Sequence, residues 1–460
     1  MFVPKIEKLI GMEVYATRSS GIGGVLKHFS EDFVVEEVLV DGSKAEVSPS
    51  MTGKTKTFNL STTNKRYLLC VLVKRNWDTF LAVKAIARSL DISSSRIQIA
   101  GIKDAKAVTA QYITIEGVGV ESLSKVKVSG IELRHIGYFR GEISPHFLLG
   151  NDFHIVVRAI RYSESAIKSR IKKTIEEIES LGGVPNFFGH QRLGTVRPIT
   201  HLVGKALIQR KFRKAAMIFL AKPSQYEHPE SRRARETLKV TQDFKKALKI
   251  FPRNLRFERL MLEHLAEKPE DCIGAFRRLP SNLLRLFIQA YQAYLFNKIL
   301  SERIKSGLAL NSAYVGDYVV NVERNGLPML NMRRVVDAKT LAAVNESLKR
   351  GRLRLALPLI GFKQQPSRGV QGEIEKKILE EEGVSQENFK IGCIPEISSK
   401  GELRTIIAPL RGFSLNEILK DSANPSKSAV KLQFMLLRGS YATVLLREIM
   451  KAQNPVKAGF

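Results

Sequence analysis

An α+β fold is predicted by three features of the 460-residue sequence. Strand-like and helix-like stretches alternate through the first 160 residues without a regular βαβ period. From residue 196 to about 310 the chain turns mainly helical and strongly basic. Strand-like sequence then returns towards the C-terminus, which predicts one sheet-bearing unit split by an insertion.

The elements follow in order. Residues 25–38 end in a β-branched, strand-like run, and YLLCVLV (67–73) has the near-continuous apolar pattern of a buried strand. Asp78 is placed to cap a helix through Leu90, with Phe80, Leu81, Val83, Ala87 and Leu90 as its apolar contacts. IQIA (97–100) and QYITI (111–115) read as strands on either side of a small-residue turn holding Lys103 and Asp104. FHIVVRAI (153–160) reads as a further strand. Ile167, Ile171, Ile175, Ile178 and Leu181 keep helical spacing, and Gly182-Gly183 supplies a stop. PNFFGHQRLG (185–194) reads as a loop, because helix propensity collapses around its proline and glycines.

In the basic middle section, LLRLFIQAYQAYLFNKILSERI (283–304) places Leu284, Phe287, Ile288, Tyr291, Leu295 and Ile299 on one stripe, expected in the core. Residues 314–322 return to strand-like sequence, and GEIEKKILEEEG (372–383) reads as an acidic helix with a solvated face. Near the C-terminus, AVKLQFMLLRGSYATVLLREIMK predicts a strand, a break at Gly439, an N-cap at Ser440 and a helix.

The charge balance narrows the partners. Lys and Arg total 74 against 45 Asp and Glu, a net charge of +29, which favours a polyanion such as nucleic acid. Arg232, Arg233 and Arg235 lie in the densest basic run and are candidate RNA contacts. No stretch approaches the ~20 apolar residues of a membrane span. The N-terminus lacks a signal-peptide pattern, and the three cysteines are widely spaced. A cytoplasmic monomer is expected.

Several chemistries lack support. The chain has no GxxxxGK[ST], no HExxH, no Cys/His metal spacing and no GxSxG, while SGIGG (20–24) reads as a turn. His190 reads as a loop hydrogen-bond partner. What remains is carboxylates, lysines and amides. On residue chemistry alone Asp104 is a hairpin-tip aspartate or a substrate-directed carboxylate. Phe187, Phe188, Asn186, Gln191 and Arg192 either plug a loop into the core or combine base stacking with amide and guanidinium contacts to RNA.

Six segments in order give a resemblance. GVLKHFSEDFVVEE (24–37), AGIKDAKAVTAQY (100–112), LLGNDFHIVVR (148–158), PNFFGHQRLG (185–194), LFIQAYQAYLFNKILSERI (286–304) and LLRGSYATVLLRE (436–448) together resemble the TruD family of tRNA pseudouridine synthases. Ser30 stands where the family's first motif has proline, and PEISSKG (395–401) is similar to the archaeal and eukaryotic branch.

The resemblance implies a pseudouridine synthase catalytic domain with a mixed, largely antiparallel sheet. A mainly helical, RNA-binding TRUD domain would be inserted in it. Residues 1–194 and 396–460 would form the catalytic domain, and 195–395 the insertion, with tRNA held in a basic cleft between them. It implies Asp104 as the essential carboxylate and Lys27 as the cation that keeps it ionised and oriented. Phe188 would stack on an extruded uracil, and Asn186 would bond the base edge or Asp104 and hold the loop in place. Gln191 and Arg192 are second-rank positions. Lys103, pointing away from Asp104 in an extended backbone, is expected to contact phosphate. The substrate would be uridine 13 in the D arm of tRNA, with no metal or nucleotide cofactor. A binding-only RNA or ribosome-assembly protein on the same fold is the competing reading, and the joint presence of Lys27, Asp104, Asn186 and Phe188 weighs against it. A methyltransferase would need a cofactor loop that the sequence does not offer.

Overall fold

The computed structural model describes residues 2–48, 60 and 65–460. Its strands, in chain order, are β1 (Phe33–Leu39), β2 (Tyr67–Arg75), β3 (Ile97–Ile99), β4 (Val108–Glu116), β5 (Ile131–Phe139) and β6 (Leu148–Ile160), then β7 (Val184–Pro185). After the helical block come β8 (Tyr318–Val322), β9 (Pro328–Val335) and β10 (Leu353–Leu359), then β11 (Glu402–Thr405), β12 (Ile407–Ala408), β13 (Leu410–Lys420) and β14 (Ser428–Leu437). An eight-stranded sheet runs in the order β13-β14-β6-β1-β4-β2-β5, with β3 added beside β4. Among the described residues of this sheet only the β1–β4 pair is parallel. The architecture is α+β, as expected.

Strand residues follow apolar patterning where the sheet is covered. Leu68 to Val73 are all buried, because helix Thr79–Ser89 covers one face of β2 and a second apolar cluster the other. Asp78 caps that helix, accepting from the amides of Phe80 and Leu81. Phe80 and Leu81, expected among its core contacts, are instead exposed; Ala82 and Ile86 fill the inner face with Val83. Helix Glu164–Ser180 buries Ile167, Ile171, Ile175 and Ile178.

The insertion is mainly helical, as expected, but also carries strands. Helices fill Thr200–Lys305, but β8, β9 and β10 then build a second sheet in the order β11-β10-β8-β9. β11 lies past the boundary expected at 395, and the chain rejoins the large sheet only at Leu410. Helix Gly369–Glu382 is not simply a solvated acidic face. Glu375 is fully buried, and Glu382 accepts from Lys205, Lys298 and Tyr294. The C-terminal helix Ala442–Met450 starts after Tyr441 rather than Ser440, with no side-chain cap.

Two features bring the distant parts together. One buried cluster runs from Phe33, Val35 and Phe434 in the large sheet through Phe187 to Val203, Phe287 and Leu295 of the helical block. The segments that leave for the insertion and return from it pair as β7 with β12, and the Asn186 amide donates to Ile406 at 2.7 Å. PNFFGHQRLG therefore starts at the crossing point. Its end is a short helical turn, His190–Leu193, rather than open loop. Among the described residues no helix is long and apolar enough to cross a membrane.

Candidate active site

Asp104 sits between β3 and β4, and its side chain is 26% exposed. Two donors meet on one carboxylate oxygen: Lys27 Nζ at 3.2 Å and Gln191 Nε2 at 2.7 Å, both to Oδ1. Among the described residues nothing donates to Oδ2. Lys27 comes from the turn before β1 and adopts a left-handed φ of 55°, uncommon for a side-chain-bearing residue. Its ammonium lies 4.2 Å over the Phe33 ring.

The main chain around Asp104 is held by side chains. Thr79 Oγ1 accepts from the Lys103 amide at 3.1 Å, and Gln111 Nε2 donates to the Gly101 carbonyl at 3.0 Å. Lys74 is completely buried in β2 and donates to the carbonyls of Asp104 and Trp77, each at 2.7 Å. Among the described residues no carboxylate bonds to it, and burial pulls its pKa down to about 8, against weaker raising by Asp104 and Asp78.

Lys103 does point away from Asp104, but not to solvent. It is buried and bonds Glu37 Oε1 at 2.6 Å, while Glu37 Oε2 accepts from the Tyr112 amide at 2.9 Å. The expectation that it contacts phosphate is therefore corrected: its charge is spent inside the sheet. Glu37 lies in a segment singled out for Lys27, yet its pairing is a cross-strand relation with no linear signature.

Asn186 does not reach Asp104 but ties its loop to the returning strand. Its amide donates to the Thr405 carbonyl at 2.9 Å, and its Oδ1 accepts from Arg404 at 2.7 Å, so Gln191 rather than Asn186 reaches Asp104. Arg404 also donates to the carbonyls of Asn186 and Gly439 and lies 4.0 Å over the Phe188 ring. Phe188 is held at its backbone by Asn297 of the long helix, which accepts from its amide at 2.8 Å and donates to its carbonyl at 3.0 Å. Gly189 permits this close fit: a Cβ there would lie 2.8 Å from Thr443 Oγ1. Arg404, one of 74 basic residues, had no sequence signal. His190 is fully buried against Phe460, and among the described residues its Nε2 makes no hydrogen bond. Burial and the nearby Arg447 charge pull its pKa down to about 3, so the ring is neutral.

Two cavities adjoin. Asp104 lines one of about 240 Å³, with Phe33, Asn151, Gln191, Tyr441 and Thr443. A larger cleft of about 790 Å³ carries Asn186, Phe188, Arg192, Arg354 and Arg404. Leu148 and Arg438-Gly439-Ser440 belong to both walls, so the carboxylate pocket opens beside the basic cleft. Among the described residues Arg354 and Arg404 have no carboxylate partner, and burial lowers the pKa of each guanidinium to about 10.

The basic helix Pro229–Thr241 divides differently from expectation. Arg233 is exposed, and Arg232 is half-exposed and bonded to Glu236 at 2.8 Å. Arg235 is buried beside Ala234 and Leu238, and pairs with Glu227 at 2.9 Å and Glu258 at 2.7 Å. It is an internal strut, so its expected RNA contact is corrected. Glu36, Asp152 and His154 form one acidic-histidine group, but Lys44 Nζ already lies 2.6 Å from each carboxylate.

The family model for tRNA pseudouridine synthase D (TruD) matches residues 9–449. The chain belongs to the TruD family of tRNA pseudouridine synthases. A Methanosarcina mazei relative named "Probable tRNA pseudouridine synthase D" is 42% identical over 458 residues, covering 99% of this chain and 100% of its own. A relative of the same name from Thermococcus sibiricus is 37% identical, covering 95% and 97%. A crystal structure of a TruD chain from Methanosarcina mazei superposes with a TM-score of 0.83 at 42% identity, covering 99% of this chain and all of that one. TruD membership thus spans both the Asp104 pocket and the insertion.

Proposed function

We propose that this TruD-family chain isomerises uridine 13 of the tRNA D arm to pseudouridine, with Asp104 as the reacting carboxylate. The observation that carries this reading is the asymmetry of the carboxylate. Oδ1 is fixed by Lys27 and Gln191, and among the described residues Oδ2 is left without a donor on a pocket beside a basic cleft. The reaction breaks the N1–C1′ bond, turns the uracil and joins C5 to C1′. The C5 proton is lost and N1 gains one, so no net oxidation occurs. Oδ2 serves either as the nucleophile at C1′ or as the base that removes the C2′ proton. The Lys27 ammonium and the Gln191 amide hold Oδ1 and so orient the carboxylate in both routes.

The target base must leave the tRNA stack to reach this pocket. Phe188 stacks against the extruded nucleotide from the larger cleft. Arg192, Arg354, Lys400, Arg404 and Arg438, which line that cleft, bind the tRNA backbone; Arg233 contributes from the outer helix. The test is Asp104→Asn with a tRNA transcript, mapping pseudouridine by carbodiimide treatment and primer extension. Turnover should vanish while tRNA affinity stays near wild type. A transcript with cytidine at position 13 should lose the wild-type signal. Substantial turnover by the variant would remove Asp104 from the chemistry.

A further inference from the structure

Buried polar atoms in folded proteins nearly always have hydrogen-bond partners, and exceptions mark places where something else binds. Two such exceptions line the Asp104 pocket: Asn151 Oδ1 and Thr443 Oγ1 are buried and, among the described residues, have no partner. They come from different elements. Asn151 is on β6, between Glu37 of β1 and Leu436 of β14, and Thr443 is in the first turn of the C-terminal helix. Glu37 cannot serve the Asn151 oxygen, because its carboxylate only accepts, from Lys103 and the Tyr112 amide, and has no hydrogen to donate.

We propose that Asn151 and Thr443 form the base-reading subsite of this pocket, with the Asn151 amide oxygen accepting the uracil N3–H. The inference rests on the pseudouridine synthase reading and on Asp104 as its carboxylate. The chemistry of the atoms matches. An amide supplies an acceptor and a donor, and a hydroxyl supplies either. Uracil presents O2, N3–H and O4 along one edge. Cytosine presents an acceptor at N3 and a donor at N4, and so meets an amide oxygen with the wrong partner at N3.

The same arrangement fits the isomerisation itself. Exchanging N1 for C5 at the sugar amounts to a half-turn of the uracil about the axis through N3 and C6. That turn leaves N3–H in place and swaps O2 with O4. An acceptor on N3–H therefore holds the ring at its pivot before and after the turn. A flanking Thr443 hydroxyl finds a carbonyl oxygen in either state. Asn151 thus both selects uracil and keeps the detached base from leaving.

The test uses the full chain and tRNA transcripts carrying either uridine or 3-methyluridine at the target. With wild type, the methyl group should lower single-turnover rates by about 100-fold or more, as expected when a hydrogen-bonded edge is blocked. Asn151→Leu should lower the rate on uridine by about 100-fold while tRNA affinity changes less than about threefold, because backbone contacts dominate binding. The variant should no longer distinguish uridine from 3-methyluridine, and should release free uracil that wild type retains. A purely structural role for Asn151 would move neither of these last two readouts. Equal wild-type rates on both substrates, or undiminished discrimination by Asn151→Leu, would overturn the assignment. If Asn151→Leu fails to fold, the wild-type comparison and Thr443→Val carry the decision: equal wild-type rates on uridine and 3-methyluridine, or a Thr443→Val rate on uridine within twofold of wild type, would overturn it. Turnover surviving in Asp104→Asn would instead refute the parent reading.

Discussion

Replacing Gln191 with leucine isolates one of the two donors on Asp104. The 2.7 Å bond from Nε2 to Oδ1 joins a neutral amide to a carboxylate that is 26% exposed. A hydrogen bond to a charged group contributes roughly 1.5–3 kcal/mol, and partial exposure places this one near the lower end. Losing about 1.5 kcal/mol of orientation in the transition state corresponds to about a tenfold fall in rate. Lys27 remains at 3.2 Å, so activity should be reduced rather than abolished. Gln191→Glu should be worse, since a second carboxylate replaces the donor and repels the first. The assay is single-turnover pseudouridine formation at saturating enzyme, with tRNA affinity measured alongside. A rate for Gln191→Leu within twofold of wild type, or a loss confined to affinity, would refute the view that this amide fixes the carboxylate.

Three further outcomes are expected. Arg235→Met should lower thermal stability by about 3 kcal/mol, because Glu227 is left without its cation and Glu258 keeps only the Arg197 guanidinium at 3.5 Å; at a permissive temperature its salt dependence of tRNA binding should match wild type. Arg438→Ala should reduce the slope of log affinity against log salt by about one unit, measured by filter binding, as expected for one lost phosphate contact. Lys74 has its pKa lowered from 10.5 to about 8, so its charged form is the one that folding disfavours. Wild type should therefore gain thermal stability relative to Lys74→Met as pH rises from about 8 towards 10.5, seen by calorimetry across that window.

Much of the fold was legible because local signals agreed with tertiary demand. The isoleucine spacing of 167–178 and the capping Asp78 specify their helices with no outside help. Phe80 and Leu81 misled because both follow an apolar pattern at the first turn of a helix whose inner face begins at Ala82. The second sheet was hidden because β10 depends on β11, which follows it by about 50 residues in sequence. In the site, Lys27, Asp104 and Gln191 lie in recognisable segments, and the structure brings them together. Lys103 and Arg235 were misread, and Asn186 in part, for one reason: a charged or amide side chain in a motif looks identical whether its partner is solvent, ligand or another buried group. Only the pairings with Glu37, Glu258 and Arg404 decide between them.

The order of strands in the large sheet also sets how the chain can be made. β6 ends at residue 160, but its outer neighbour β14 begins at residue 428. During synthesis the run FHIVV within β6 would present an unpaired apolar edge while well over half of the chain remains to be translated. Closure of this edge waits for the last strands to emerge, a long-range pairing of the kind that slows folding. A chain interrupted anywhere before the β13–β14 hairpin would carry that open edge, so truncated products should aggregate or be degraded rather than survive as a free catalytic half.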